Sequence, residues 1–381
     1  MPDLPEGFVP LLEESVGKEA AGVVLDALGN PPSVSVRINP SKISVCPFPD
    51  GTPVPWSPCG YILPSRPVFT LDPLFHAGCY YVQDSSAMMV GHVFRRVLEM
   101  YPAPGSPVIL DLCAAPGGKT TDAAASARET FGDGFTLVAN EVIRKRFNLL
   151  RQNVEVWGDP RVAVENRDPA GFGELPPFNV IIADVPCSGE GMFRKDEGAV
   201  RDWSVDTVRF CAARQRRILS DIWPSLKVGG VLVYSTCTFN NLENDGTVEW
   251  LLSQTVSEVV DIGDCSPAVA TRYGHLMLPG LVPGEGQFVA AVRKTGGAVA
   301  SGKRGTGFDF PCSAIPDTLP RLDVDLETAL SYLRGNAIRP QGAPEGLFTV
   351  CYGGHPLGQA KNVGSRCNNL YPKERRIRMS I

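Results

Sequence analysis

The sequence predicts an α/β fold whose core is a doubly wound, Rossmann-like sheet of parallel strands. From residue 107 to about residue 294, short apolar runs alternate regularly with helical patterns, as they do in repeated strand–helix units. The run at 108–112 leads into a glycine-containing loop, and the runs at 180–185 and 231–236 each lead into a cysteine. Because ligands bind at the carboxyl ends of parallel strands, the loop and both cysteines are expected at one edge of the sheet.

The composition indicates a globular protein of two or three domains. The chain has 381 residues, of which 43% are hydrophobic, and its apolar runs fall well short of a membrane span. The first seven residues carry neither the basic nor the apolar segment of a secretory signal. Eleven scattered cysteines without a C-x-x-C pair, and four histidines, argue against a structural metal site and fit a reducing cytosol. We therefore expect a cytoplasmic protein without a bound metal or a membrane span.

Residues 1–105 form the first predicted unit, a small α/β domain that we expect to bind RNA or to act as a lid. Apolar positions between 8 and 28 predict two short helices, which a break at 30–32 ends. Residues 33–39 alternate as a strand that places Arg37 on its polar side. A helical pattern over 88–98 follows and stops at the Pro- and Gly-containing segment 102–105.

Residues 106–295 form the second predicted unit, which holds the strand–helix repeats and is expected to be the catalytic domain. The predicted strands lie at 108–112, 136–141, 161–165, 180–185 and 231–236, with a last pair at 256–262 and 287–294. The helix between the second and third strands carries a basic face, made of Arg144, Lys145, Arg146 and Arg151. Repeated units of this kind predict a parallel sheet.

Residues 296–307 predict a linker, and residues 308–381 predict a third, small unit. A helix is expected over 325–333 and a hairpin over 346–358. The last part of the chain is basic, with Lys361, Arg366, Lys373, Arg375, Arg376 and Arg378 against the single acid Glu374. Although the net charge of the whole chain is −5, such a patch can bind the phosphate backbone of a nucleic acid.

The loop DLCAAPGGKT at 111–120 suits a nucleotide-like ligand. It is not a Walker A loop, because Cys113 stands where that motif needs glycine, and the dinucleotide fingerprint G-x-G-x-x-G is absent. Glu141 ends the second strand, where a carboxylate suits hydrogen bonds to a ribose diol. Asp168 follows the third strand, where an adenine amino group could be bound. Without a phosphate-binding loop, S-adenosylmethionine fits this edge better than a nucleotide phosphate does.

The two cysteines suit methyl transfer to carbon 5 of a pyrimidine. A thiolate that adds to carbon 6 makes carbon 5 nucleophilic, and an acid near ring nitrogen 3 stabilises the adduct. Asp184, three residues before Cys187, could supply that acid if it is protonated or shares a proton. A base must then remove the proton from carbon 5. One thiol would add and the other would assist release. The residues alone leave open which of Cys187 and Cys237 does which, and the Pro186–Cys187 pair resembles the nucleophile of DNA cytosine-5 methyltransferases.

Three motifs together resemble the Sun (Nop/Nol) family of RNA cytosine-5 methyltransferases. They are LCAAPGGKT at 112–120, DVPCSGEG at 184–191 and YSTCT at 234–238, and the resemblance covers roughly residues 80–294. It implies that Cys237 is the nucleophile, that Cys187 assists release and that Lys119 lies beside the substrate base. The cofactor contacts that it implies are Cys113, Ala114, Ala115, Pro116, Gly117, Gly118, Lys119, Glu141, Asp168 and Asp184.

Both ends of the chain resemble the RsmF-like bacterial branch of this family, which acts on small-subunit ribosomal RNA. The segments are VSVRIN at 34–39, YVQDSS at 81–86 and NNLYPKERRIR at 368–378, the last resembling a PUA-like RNA-binding unit. We therefore expect S-adenosylmethionine as the cofactor, and ribosomal RNA, free or within the small subunit, as the partner of a monomer. The alternatives are a transfer-RNA cytosine-5 methyltransferase and a non-catalytic RNA-binding assembly factor.

Overall fold

The structure is a computed structural model that describes residues 4–103, 105–302, 307–311 and 318–379. Parts of three predicted features lie outside the described residues. These are residues 1–3 and Pro104 in the predicted first unit, 303–306 in the predicted linker, and 312–317 and 380–381 in the predicted third unit. In the described part of the chain the strands form three sheets, which follow one another along the sequence.

The N-terminal sheet packs against the central part of the molecule. The elements of this region are α1 (Phe8–Val16), α2 (Lys18–Leu28), β1 (Val34–Ile38), β2 (Thr52–Pro53), β3 (Gly60–Leu63), a 3-10 turn (Phe69–Leu71), α3 (Pro73–His76), β4 (Tyr80–Val82) and α4 (Met88–Met100). The strand order is β2-β3-β1-β4, and each neighbouring pair is antiparallel.

Arg37, predicted on the polar side of its strand, does not face solvent. The Arg37 side chain is fully buried, and its guanidinium lies 4.7 Å from the centroid of the Trp157 ring. Its Nε donates to Gln83 Oε1 at 2.9 Å, and its Nη2 donates to the carbonyl of Gly118 at 3.2 Å. Alternation marked the correct face of the strand, but that face is covered by the central domain instead of water.

The central sheet is doubly wound, as predicted. Its elements are β5 (Val108–Asp111), α5 (Gly118–Phe131), β6 (Thr136–Asn140), α6 (Arg144–Trp157), β7 (Val162–Glu165), a 3-10 turn (Pro169–Glu174), β8 (Phe178–Asp184), a 3-10 turn (Glu190–Met192), α7 (Glu197–Asp202), α8 (Val205–Ile222), a 3-10 turn (Trp223–Ser225), β9 (Leu226–Thr236), α9 (Asp245–Gln254), β10 (Ser257–Val259), β11 (Val269–Ala270), β12 (His275–Met277) and β13 (Gln287–Lys294). The strands β9-β8-β5-β6-β7 are parallel in that order.

The two faces of this sheet carry separate hydrophobic clusters. Residues of α4, α5 and α6 pack on one face, and residues of α1, α2, α8 and α9 pack on the other. The predicted last pair of strands departs from the parallel pattern, because β13 runs antiparallel to β9 and pairs with β10 and β12, also antiparallel. The segment 278–286 that joins β12 to β13 is too short for the crossover that a parallel neighbour needs.

The C-terminal sheet shares a hydrophobic cluster with the N-terminal sheet. Its elements are β14 (Arg321–Asp323), α10 (Leu326–Leu333), β15 (Gly346–Tyr352), β16 (His355–Asn362), β17 (Cys367–Asn369) and a 3-10 turn (Lys373–Arg375). β15 and β16 form the predicted hairpin. Val36 and Tyr80 from the first sheet pack in one cluster with Tyr332, Phe348 and Tyr371 from the last. In the ranges that the structure describes, no helix combines the length and the apolar character of a membrane span.

Candidate active site

The structure brings Cys187 and Cys237 into contact at the carboxyl edge of the central sheet. β8 and β9 are parallel neighbours in which Asp184 pairs with Ser235, so the two segments that follow leave the sheet side by side. The two Sγ atoms are 3.2 Å apart. The contact with the Cys237 thiol, together with burial, raises the pKa of the Cys187 thiol well above its ordinary value. Cys187 therefore keeps its proton at neutral pH.

Lys119 and Asp184 form an ion pair beside the thiols. Lys119 Nζ lies 2.9 Å from Asp184 Oδ2, and Ser235 Oγ donates to Asp184 Oδ1 at 2.8 Å. Burial alone would lower the pKa of the Lys119 ammonium, but the Asp184 carboxylate and its hydrogen bond outweigh burial and raise that pKa. Gln287 Nε2 also donates to Asp184 Oδ1, at 3.3 Å. Asp184 thus accepts hydrogen bonds from Ser235 and Gln287 and pairs with the Lys119 ammonium.

Two buried carboxylates that sequence reasoning did not single out hold the cysteine segments together. Glu190, which follows Cys187, accepts hydrogen bonds from the backbone N–H of Phe239 at 2.6 Å and of Asn240 at 3.1 Å, just after Cys237. Glu243, which follows Cys237, accepts a hydrogen bond from the backbone N–H of Ser188 at 3.0 Å, next to Cys187. Each segment therefore carries a carboxylate that binds the backbone of the other. Glu190 lies in the motif at 184–191, but a motif does not state which backbone groups its side chains bind.

A close backbone approach adds to this arrangement. The N–H of Gly191 donates to the carbonyl of Cys237 at 2.8 Å. A side chain at Gly191 would place its Cβ 2.8 Å from that same oxygen, closer than real Cβ contacts come. This is why the segment after Cys187 needs a glycine at this position.

The loop after β5 is fixed by side chains from α6. Arg146 Nη2 donates to the carbonyl of Ala115 at 2.7 Å, and Asn153 Nδ2 donates to the carbonyl of Pro116 at 2.7 Å. Gly117 adopts φ +112°, in the left-handed region that favours glycine, and α5 begins at the next residue. Cys113, in the same loop, is a neutral thiol because burial raises its pKa. The loop thus presents small residues and backbone to the space above the sheet.

Asn140 is a further residue that sequence reasoning missed. Its buried side chain donates to the carbonyls of Leu112 at 3.0 Å and Arg167 at 3.1 Å, and it accepts from the N–H of Arg167 at 2.9 Å. It therefore ties the ends of β5, β6 and β7 to one another. Only its place as the last residue of β6 could have pointed to it.

Glu141 offers an acceptor suited to an adenosine-type ligand. It is 2% exposed, and its Oε1 accepts from the N–H of Ile143 at 2.9 Å. Its Oε2 lies 3.3 Å from Arg146 Nη1 but makes no hydrogen bond of good geometry among the described residues. A buried carboxylate oxygen without a hydrogen bond is costly. A ribose hydroxyl would satisfy it, so the residues present fit S-adenosylmethionine.

Asp168 differs from the other predicted cofactor residues. Its side chain is exposed, and its Oδ1 accepts from the N–H of Ala170 at 3.1 Å, where it caps a 3-10 turn. It stands at the same sheet edge as Glu141, because β6 and β7 are parallel neighbours. The structure thus brings Cys187, Cys237, Asp184 and Lys119 together. Asp168 follows β7, at the other end of the parallel strands from β9.

Comparison with known families covers most of the chain. A family described as 16S rRNA methyltransferase RsmB/F matches residues 98–293. The N-terminal domain of 16S rRNA methyltransferase RsmF matches residues 4–85, and the methyltransferase RsmF PUA domain matches residues 320–377. These matches follow the chain through all three sheets.

Individual relatives agree with the family matches. Ribosomal RNA small subunit methyltransferase F of Cronobacter sakazakii is 31% identical and covers 97% of this chain and 96% of its own. The protein of the same name from Klebsiella pneumoniae is 31% identical, with 89% of each chain covered. Among solved structures, a methyltransferase homologue from Pyrococcus horikoshii has a TM-score of 0.62 and 26% identity, and covers 75% of this chain and 93% of its own.

Proposed function

The chain belongs to the 16S rRNA methyltransferase RsmB/F family and is an RNA cytosine-5 methyltransferase, and we propose that its substrate is small-subunit ribosomal RNA and its cofactor S-adenosylmethionine. The observation that carries the proposed reaction is the 3.2 Å separation of the Cys187 and Cys237 thiols, beside the Lys119–Asp184 ion pair. Two thiols at this distance can act on neighbouring carbon atoms of one pyrimidine ring.

The cofactor site in this proposal lies along the carboxyl ends of β5, β6 and β7. The loop at 113–119 would lie against the ligand, Glu141 Oε2 would accept a hydrogen bond from the ribose, and Asp168 would lie toward the adenine end. S-adenosylmethionine, when bound, supplies an electrophilic methyl group. The protein contributes a rigid edge, because Asn140 and α6 hold the loop in place before any ligand arrives.

Cys237 makes the bond to the substrate in this proposal. Its sulfur, as the thiolate, adds to carbon 6 of the cytosine, and the electrons of the 5,6 double bond become available at carbon 5. Lys119, protonated beside Asp184, donates a hydrogen bond or a proton to the ring heteroatoms that gain negative charge. The ion pair thus stabilises the adduct where charge develops.

Cys187 completes the reaction in this proposal. After carbon 5 carries the methyl group, its remaining proton must leave so that the double bond reforms and the Cys237–carbon 6 bond breaks. A thiol whose pKa is raised gives, once deprotonated, a stronger base than an ordinary thiolate. Once the Cys237 sulfur is bonded to carbon 6, the contact that raises the Cys187 pKa most is lost, so Cys187 gives its own proton to solvent and the resulting thiolate takes the proton from carbon 5.

Mapping 5-methylcytosine tests the proposal. The purified full chain is incubated with S-adenosylmethionine and either small-subunit ribosomal RNA, assembled small subunits or transfer RNA, and the products are read by bisulfite sequencing. We expect new 5-methylcytosine in the ribosomal RNA with the wild-type protein, and none with Cys237→Ala. The control is Cys46→Ala, a partly buried free cysteine of the N-terminal region. Methylation of transfer RNA alone would contradict the proposed substrate.

A further inference from the structure

A cavity of about 400 Å³ lies between the N-terminal sheet, α6 and the segment that follows β17. Its volume falls in the range of small-ligand sites. Its aromatic and basic lining side chains are Phe75, His76, Tyr80, Tyr81, Trp157, Tyr371, Arg375, Arg376 and Arg378. No step of the methyl transfer described above uses this cavity.

The walls of the cavity are fixed by contacts between chain segments far apart in sequence. Arg375 forms an ion pair with Glu155 of α6. The hydroxyl of Tyr371 lies 3.4 Å from His76 Nδ1, and burial lowers the pKa of His76, which leaves this imidazole neutral near pH 7. The Tyr371 ring also packs on Tyr332, with centroids 5.5 Å apart. The cavity is therefore a built feature between three parts of the molecule.

The charge of the lining is positive. Arg375, Arg376 and Arg378 contribute guanidinium groups, and no Asp or Glu belongs to the part of the lining that the structure describes. Glu155, outside the lining, offsets Arg375. An anionic ligand with acceptor oxygens would complement the guanidinium groups of Arg376 and Arg378.

The remaining lining is aromatic and amide in character. Tyr81 and Phe75 are partly exposed, and Gln152 and Asn153 add side-chain amides. Aromatic faces stack on the bases of single-stranded RNA, while arginines bind its phosphates. We propose that the cavity binds one unpaired nucleotide of the substrate RNA, outside the reaction centre, with its phosphate at the arginines. This inference rests on the proposed function, since it takes the substrate to be RNA.

The cavity also adjoins the cofactor loop. Asn153 lines it, and the same side chain donates to the carbonyl of Pro116 at 2.7 Å. A nucleotide bound here would place the RNA strand in a fixed register with the site that holds the target cytosine. The C-terminal segment thus contributes to RNA binding through a pocket that it forms only together with α6 and the N-terminal sheet.

Two arginine variants and one control test the inference. Arg378→Gln changes an exposed lining arginine, and the double variant Arg376→Gln/Arg378→Gln removes a second charge. Arg339→Gln removes an equally charged, exposed side chain elsewhere in the C-terminal region. The affinity for a fluorescent fragment of small-subunit ribosomal RNA is measured by anisotropy over a series of KCl concentrations. Circular dichroism checks folding, and if the double variant does not fold, Arg378→Gln alone provides the comparison.

We expect the double variant to bind RNA about tenfold more weakly and the salt slope of Arg378→Gln to fall by about 1. Arg339→Gln should stay within about twofold of the wild type. Cross-linking of 4-thiouridine-substituted RNA to the wild-type protein should label peptides that contain Phe75 or Tyr81. Wild-type affinity in the arginine variants, without cross-links at these peptides, would overturn the inference. An effect confined to assembled subunits, with naked RNA unaffected, would also overturn it, in favour of a protein partner.

The two proposals fail in different ways. Cross-linking and binding do not require methyl transfer, so a pocket that binds RNA in a protein that methylates no cytosine would refute the proposed function alone. A protein that methylates ribosomal RNA while the arginine variants behave as the wild type would refute the pocket alone.

Discussion

Replacing Glu243 with glutamine tests whether the buried carboxylates hold the two cysteines at their short separation. The two oxygens of Glu243 accept hydrogen bonds from the N–H of Ser188 at 3.0 Å, from Gln215 at 2.7 Å and from Asn240 at 2.9 Å. Glutamine keeps one acceptor oxygen and turns an NH₂ group toward these donors. With about two hydrogen bonds lost at about 1–2 kcal/mol each, the expected destabilisation is about 2–4 kcal/mol. A domain of ordinary stability survives that loss.

The expected effect on activity is larger than the effect on folding. Ser188 follows Cys187 directly, so a shift of its backbone moves the Cys187 thiol away from Cys237. A displacement of about 1 Å in a reacting group costs about 10²-fold in rate. We therefore expect a fall in kcat of about that size, while the affinity for S-adenosylmethionine stays unchanged because Glu243 does not contact the cofactor loop. Single-turnover methyl transfer and isothermal titration calorimetry measure the two quantities.

The pH dependence of stability gives a second readout for the same variant. Burial raises the pKa of Glu243 to about 7, from an ordinary value of 4.5. Between these values the unfolded chain binds fewer protons than the folded one, so the stability of the wild type falls as pH rises from about 4.5 to about 7. Glutamine does not titrate, so Glu243→Gln does not lose stability in this way as the pH rises. Its destabilisation relative to wild type should therefore be smaller at pH 8 than at pH 5.

The matched control is Glu249→Gln, which changes an exposed glutamate of α9 that pairs with Arg272. It should leave both kcat and stability close to wild type, because exposed ion pairs contribute little. A Glu243→Gln protein whose kcat lies within about twofold of wild type would refute the claim that the carboxylates position the thiols.

Other variants follow from the same structure. Glu141→Gln should weaken S-adenosylmethionine binding about tenfold in calorimetry, with RNA affinity unchanged, because Oε2 loses its acceptor role; equal cofactor affinity would contradict the ribose contact. Arg37→Met should lower the free energy of unfolding in urea by about 3–5 kcal/mol, since it leaves the buried Asp122 less well paired; a loss below about 1 kcal/mol would count against a structural role. Asp111→Asn should flatten the pH dependence of stability, because burial raises the pKa of Asp111 to about 7 and the folded wild type loses stability as pH rises from about 4 to about 7. Parallel pH curves for wild type and variant would show that reasoning to be wrong.

The strand–helix periodicity was sufficient to predict the doubly wound core, and the resemblance of the motifs at 112–120, 184–191 and 234–238 indicated the family. Buried parallel strands produce continuous apolar runs, and their neighbouring carboxyl ends explain why Cys187 and Cys237 meet. The antiparallel direction of β13 could not be predicted from this pattern, because an apolar run has the same composition in a parallel or an antiparallel strand. The burial of Arg37 was missed for a related reason, since alternation identifies a polar face but not what packs on it.

The supporting residues of the site could not be predicted in the same way. Asn140, Glu190 and Glu243 act through hydrogen bonds to backbone groups of other segments, and those partners are set by the fold. The assigned roles of Cys237 and Cys187 remain predictions that rest on family resemblance together with their contact. The sulfur separation alone is symmetrical and does not distinguish the attacking thiol from the releasing one.

Trapping of the covalent adduct tests the central claim most directly. The Cys187→Ala protein is mixed with S-adenosylmethionine and small-subunit ribosomal RNA, then run on a denaturing gel, with Cys237→Ala and the double variant Cys187→Ala/Cys237→Ala treated in the same way beside it. If Cys237 attacks and Cys187 releases, the single variant accumulates a protein–RNA band that survives denaturation, and the double variant shows none. Absence of the band in Cys187→Ala, or its accumulation in Cys237→Ala instead, would contradict the assignment.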